Sequence, residues 1–172
     1  TRTTGIWQTV WMEAVEENAL ERVQVFTDID QNQIVVTPTF YGYKAGNKFA
    51  ITVKDGEKVV AKTEVGASQG LPVVVPVKKP KLWTPENPFL YDVVYEVKSA
   101  EGATLDKVDA YVGMRKIHID GTKIYLNNKP YYQRMVLDQG FYPDGVWTAP
   151  SDEALKQDIL LSKQAGFNGA RL

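Results

Sequence analysis

The stretch Asp28-Ile29-Asp30-Gln31-Asn32 sets oxygen-bearing side chains at alternate positions, the spacing with which a calcium loop begins. Such a loop also needs a glycine at its sharp turn and a bidentate glutamate at its end. The chain carries Gln33 and Thr39 at those positions, so the stretch reads as a hairpin turn. His118 is the single histidine and there is no cysteine. Zinc needs several nitrogen or sulfur ligands, and acyl transfer needs a nucleophile beside its base, so a lone His118 reads as structural. Glycine stretches such as Tyr41–Lys48 and Gln164–Gly169 lack both the GxGxxG spacing and a P-loop lysine, so they do not suggest phosphate binding. Trp83 offers a flat ring, but Pro85 and Pro88 mark a rigid corner in which Trp83, Phe89 and Tyr91 pack. The remaining stretch with chemical promise is "DQGFYPDGVWTAPS", residues 138–151, where Asp138 and Gln139 precede Phe141, Tyr142 and Trp147.

Composition narrows what these residues can serve. A chain of 172 residues with 44% hydrophobic and 24% charged residues can bury an ordinary core. Its formal net charge of −1, with no basic run, argues against nucleic acid or anionic lipid as partner. No apolar run approaches the roughly 18 residues of a membrane span. Residues 1–20 include Arg2, Glu13, Glu16 and Glu17 and do not read as a signal peptide. The start carries no methionine, so the chain reads as an excised or processed piece, with any export signal outside it. Compartment is unknown on this reading, a periplasmic or secreted setting being compatible with the whole protein. No metal or cofactor is expected.

The elements that must hold these residues come in two styles. From Trp7 to Ile119 the sequence reads as strands and turns: "ERVQVFTDI", "QIVVTPTFYGY", "KFAITVKDGEKVVAKTEV", "LPVVVPV", "LYDVVYEVKS" and "ATLDKVDAYVGMRKI". The third is a hairpin turning at Asp55-Gly56. About seven strands over roughly 100 residues match an immunoglobulin-like sandwich. From Asp120 the style changes. A small hairpin turns at Asn127-Asn128, a strand "YYQRMVL" follows, and after the aromatic loop comes a helix. Ser151 is its N-cap, Asp152 and Glu153 suit the first turn, and Gly166 suits the left-handed closing position. Leu155, Ile159, Ser162 and Gly166 form one small-to-apolar stripe, with Lys156, Gln157, Lys163 and Gln164 mostly off it. "FNGARL" then opens another strand. Strand, loop, helix and strand make a βαβ unit, which needs cover on both faces.

Four stretches together resemble glycoside hydrolase family 2, whose members include β-galactosidases, β-glucuronidases and β-mannosidases. "TGIWQTVWMEAV" resembles the closing strand of that family's N-terminal sugar-binding-like sandwich. "LWTPENPFLYDVVYEV" resembles the L-W-x-P-x-x-P-x-L-Y motif of its middle, immunoglobulin-like domain. "VGMRKIHIDGTKIYLNNKPYYQRMV" is similar to the junction leading into the first strand of its (β/α)₈ barrel. "DEALKQDILLSKQAGFNGARL" is similar to barrel helix one and strand two. The resemblance covers essentially the whole chain. It implies residues 1–15 as the last strand of an upstream sandwich and 16–117 as the immunoglobulin-like sandwich. Residues 118–172 follow as the junction hairpin and the first β-α-β of a truncated TIM barrel.

The same resemblance implies what the chain does. Family members are retaining glycosidases that use two glutamates late in the barrel, the acid/base lying in an Asn-Glu motif. The chain contains no Asn-Glu dipeptide. It is therefore expected to be a non-catalytic fragment whose sandwich is a spacer supporting the barrel. By position, the resemblance points to Arg134, Asp138, Gln139 and Arg171 as residues facing a glycoside in the whole enzyme. The sequence departs from the family pattern here. Met135 follows the arginine, and Leu137-Asp138-Gln139-Gly140 stand where Asn-Arg/Lys-His-Glu is usual, which implies a divergent branch with its own substrate. Val136, Leu137, Ile159, Leu160 and Leu161 are expected to expose apolar surface and to favour docking, self-association or poor order. A stand-alone carbohydrate-binding or adhesion-type sandwich is the alternative reading.

Overall fold

The computed structural model describes residues 5–6, 9–42 and 44–172. It divides into two compact units, Ala14–Pro130 and a second made of residues 131–172 with the segment up to Glu13.

The larger unit is built on seven strands: β1 (Leu20–Asp28), β2 (Gln33–Phe40), β3 (Lys48–Asp55), β4 (Lys58–Gly66), β5 (Val73–Pro76), β6 (Tyr91–Lys98) and β7 (Thr104–Val112). They form two antiparallel sheets, ordered β1-β2-β5 and β4-β3-β6-β7. This is the expected immunoglobulin-like sandwich, with β4 staying beside β3 in the four-stranded sheet. Period-two alternation aims one side of each strand inward. Ile34, Val36 and Phe40 of β2 and Tyr91, Val93, Tyr95 and Val97 of β6 are buried by that rule. Strand β3, hydrogen-bonded on both sides, buries Phe49 through Val53 without a break. Phe49 sits at the centre, edge-on to Phe40 at 5.6 Å and stacked on Tyr95 at 5.9 Å. Each such side chain contributes roughly 1.5–3 kcal/mol by leaving water.

Turn chemistry fixes the registers. In the β3–β4 hairpin Asp55 pairs with Lys58, so the two-residue turn is Gly56-Glu57, one position later than the sequence pattern indicated. Gly56 has φ 59° and Glu57 does not share it, the signature of a type II′ turn with glycine first. The stretch read as one strand from Ala103 to Ile117 is broken after Val112. Met114 there is fully buried, and its carbonyl accepts from the Trp83 amide at 2.9 Å. A three-stranded sheet follows, β8 (Ile117–Asp120), β9 (Lys123–Leu126) and β10 (Lys129–Pro130). Its second turn is Asn127-Asn128, with φ 50° and 63°, as an I′ turn requires. Asn127 locks this hairpin to the sandwich: its Nδ2 donates to the Trp83 carbonyl at 2.9 Å and its Oδ1 accepts from Lys116 N at 3.0 Å.

The smaller unit holds β11 (Met135–Leu137), α1 (Asp152–Gln164) and β12 (Gly169–Arg171), the strands paired in parallel. The strand expected over "YYQRMVL" is thus confined to its last three residues. Ser151 caps α1 by accepting from Ala154 N, with Asp152 and Glu153 in the first turn. The helix closes in a Schellman pair, Phe167 N to Ser162 O and Gly166 N to Lys163 O, with Gly166 at φ 88°. The half-buried line of the helix is not the small-to-apolar stripe of the sequence, and Ile159 is exposed as expected. Ala154, Asp158 and Ser162 are half-buried, whereas Leu155 and Ile159 are 48% and 63% exposed. The expected closing strand at the start of the chain includes Trp7 and Gln8, which lie outside the described residues. Residues 9–15 form no strand and have no ladder partner among the described residues.

Candidate functional site

A parallel pair sends both of its strands out at the same edge, and residues just past the two ends become neighbours. Here Met135 pairs with Gly169, Val136 with Ala170 and Leu137 with Arg171, and Asp138 N donates to the Arg171 carbonyl at 2.9 Å. Asp138, Gln139 and Arg171 therefore gather at the carboxyl end of β11 and β12. Asp138 Oδ1 accepts from Gly140 N at 2.8 Å, turning the chain sharply at Gly140, which has φ 63°. Gln139 and Arg171 are exposed. Arg134 is not part of this group. It precedes β11 at the amino end, where its Nε donates to the Gly166 carbonyl at 2.7 Å.

The loop after β11 is built rather than slack. Tyr142 and Val146 exchange both backbone hydrogen bonds, at 2.9 and 3.0 Å, around Pro143-Asp144-Gly145. Phe141 and Trp147 then meet edge to face at 5.2 Å, each about half exposed. Tyr142 Oη donates to Asp158 Oδ2 on α1 at 2.8 Å. That bond raises the Tyr142 pKa, with desolvation and the charges of Asp158 and Asp138 adding to it. Sequence reasoning missed Asp158. An acidic residue on the half-buried line of the helix, four residues from Ala154 and from Ser162, was the signal available.

Chemically, the segments leaving this end carry a carboxylate, an amide, a guanidinium and two aromatic rings. That combination suits a polyhydroxylated ligand, whose hydroxyls exchange hydrogen bonds while its ring faces lie on aromatic surface. It supplies one carboxylate, where retaining glycoside hydrolysis needs two about 5–5.5 Å apart.

The other sequence candidates serve the fold. Asp28 Oδ1 accepts from Asp30 N and Gln31 N, while Asp30 bonds Lys116 and Asn128. The Lys116 bond first, then the Asn128 bond, holds the Asp30 carboxyl below its usual range. Among the described residues no cluster of His, Asp and Glu could hold a metal ion, and no helix is long and apolar enough to cross a membrane. His118 stacks on Tyr125 at 5.0 Å in the small sheet. Trp83 lies under the Arg115 guanidinium at 4.9 Å, and Phe89 packs edge-on to Tyr91 at 4.8 Å, so the proline corner is a packing feature.

The family model described as "Glycosyl hydrolases family 2" matches residues 8–115. A β-galactosidase of Lactococcus lactis is 27% identical over 173 aligned residues, covering 99% of this chain and 17% of the relative. A β-galactosidase of Pectobacterium atrosepticum is 36% identical over 95 residues, covering 55% of this chain and 9% of the relative. The β-glucuronidase of Ruminococcus gnavus solved with D-glucuronic acid superposes with a TM-score of 0.75 at 23% identity, over 90% of this chain and 26% of that one. Its apo form gives 0.76. These structures share the fold, and the chain spans only a fraction of the length of every one of these proteins.

Proposed function

The chain belongs to family 2 of the glycosyl hydrolases, and on that premise we propose that it is a non-catalytic section of a longer retaining glycosidase. In this reading residues 1–15 close an upstream sandwich, residues 16–117 are a spacer domain, and residues 118–172 open a (β/α)₈ barrel. The spacer's contribution is positional, since it holds the barrel and the preceding domain in fixed relation. Asp138, Gln139 and Arg171 bind sugar hydroxyls, while Phe141 and Trp147 offer a surface to a pyranose face. Arg134, set at the other end of the strand pair, supports the site without touching substrate.

The observation that carries this reading is the parallel β11–α1–β12 unit with Asp138 and Arg171 brought together at its carboxyl end. In barrels built of such units, ligands sit at that end. The two catalytic carboxylates belong to later strands of the whole enzyme, one as nucleophile and one as acid/base. An acid/base carboxyl must be kept protonated by its surroundings. Here Asp30, Glu64 and Glu101 are instead held low, by Lys116, Lys98 and Ser99 respectively, so none is suited to that role. The exposed Leu137, Ile159, Leu160 and Leu161 support self-association of the section when it stands alone.

The test compares this chain with one extended by its downstream sequence on a panel of aryl glycosides. Only the extended chain is expected to turn over, and Arg171→Ala or Asp138→Ala in it lowers kcat/KM by about 10- to 100-fold. Turnover by the 172-residue chain at enzymatic rates refutes the non-catalytic assignment. An extended chain inert on the whole panel refutes the glycosidase.

A further inference from the structure

The parallel pair β11/β12 has only three residues in each strand, and α1 has no fully buried residue. So short a two-stranded ladder is marginal by itself. Yet its register decides which residue of β12 pairs with Leu137 and accepts from the Asp138 amide. Sliding one strand by a single residue would move Arg171 away from Leu137 and turn its side chain to the opposite face. Something beyond the ladder must set that register.

The geometry points to Asn168 as a positioning residue that fixes β11 against β12 and thereby sets the register in which the Asp138 amide meets the Arg171 carbonyl. Its Oδ1 accepts from Arg134 N at 2.7 Å, its Nδ2 donates to the Tyr132 carbonyl at 2.8 Å, and its own amide donates to the Arg134 carbonyl at 3.0 Å. The side-chain amide thus extends the ladder past the amino end of β11, satisfying backbone groups at residues 132 and 134 that no strand reaches. Arg134 completes the brace by carrying its Nε to the Gly166 carbonyl at 2.7 Å, which pins the turn closing α1. Only a side chain with an acceptor and a donor on one planar group can bridge both strand positions at once. The four bonds lie at one end of a pair whose other end carries the Asp138 N–H to Arg171 carbonyl bond at 2.9 Å. Two of the family-implied positions are therefore coupled: Arg134 braces the end opposite to the one where Arg171 faces outward. The consequence for sugar binding rests on the reading of Asp138, Gln139 and Arg171 given above, whereas the brace itself does not.

Amide hydrogen exchange of the 172-residue chain, read residue by residue by NMR, tests the brace without any glycoside, so its failure and that of the glycosidase reading are separable. In Asn168→Ala the Asp138 amide, at the far end of the pair, is expected to exchange at least about tenfold faster than in the wild type, while the β3 amides keep their wild-type rates. Asn168→Asp keeps the acceptor for Arg134 N and loses the donor to Tyr132, so it falls between the two. An Asp138 amide that is unprotected in the wild type, or unchanged in Asn168→Ala, overturns the inference. So does an acceleration of the same size in the amides at the middle of α1, since Asn168 would then act on the stability of the smaller unit as a whole and not on register.

Discussion

Replacing Asn127 by alanine isolates the lock between the sandwich and the small sheet that follows it. Asn127 sits at φ 50°, which alanine adopts at a cost of roughly 1 kcal/mol. Its two side-chain bonds, to the Trp83 carbonyl at 2.9 Å and from Lys116 N at 3.0 Å, both lie in part-buried surroundings. Each contributes about 0.5–1.5 kcal/mol net. The sum is a loss of about 2–4 kcal/mol, a large share of the stability of a domain this size. Urea unfolding followed by circular dichroism reads it directly. With a slope of roughly 2 kcal/mol per molar, the midpoint falls by about 1–2 M with the slope unchanged. Asn127→Asp tolerates the left-handed backbone and keeps the acceptor for Lys116 N. It loses only the donor to Trp83, so its loss is about 0.5–1.5 kcal/mol. A loss below about 0.5 kcal/mol for the alanine variant, or an aspartate variant that is worse than alanine, refutes the reasoning.

Two further outcomes probe the core. Phe49→Ala removes the ring between Phe40 and Tyr95 and is expected to cost about 3–5 kcal/mol, whereas Val59→Ala at an exposed position of β4 stays within about 0.5 kcal/mol; equal urea midpoints for the two would contradict the assigned core. Tyr95 is 2% exposed, and burial pushes its pKa up from 10.0 to about 12. The folded state thus holds the phenol proton more tightly than the unfolded one. Stability from this source is complete below pH 10 and is lost as pH rises toward about 12, by about 3 kcal/mol in all. Midpoints measured from pH 8 upward should fall along that limb in the wild type, and the limb should be absent in Tyr95→Phe; an identical fall in both would rule out Tyr95 as its source.

The sequence by itself determined the seven strands of the sandwich, because inward and outward residues alternate along β2 and β6 and turn residues punctuate them. It determined the caps of α1 and the Asn127-Asn128 turn, since those depend on one or two side chains acting on their own backbone. Such effects are local, and local chemistry is written in order along the chain. Tertiary structure decided the rest. The break at Gly113, the tie from Asn127 to Trp83 and the burial of Met114 all join residues far apart in sequence. The face of α1 that turns inward was legible only once Asp158 had met Tyr142, because Leu155 and Ile159 form as good a stripe on paper as Ala154, Asp158 and Ser162. At the candidate site, a motif position pointed equally to Arg134, Asp138, Gln139 and Arg171. Only strand pairing separated them, placing Arg134 at one end and the other three at the opposite end, because the direction and register of a parallel ladder are set by partners that the sequence does not name.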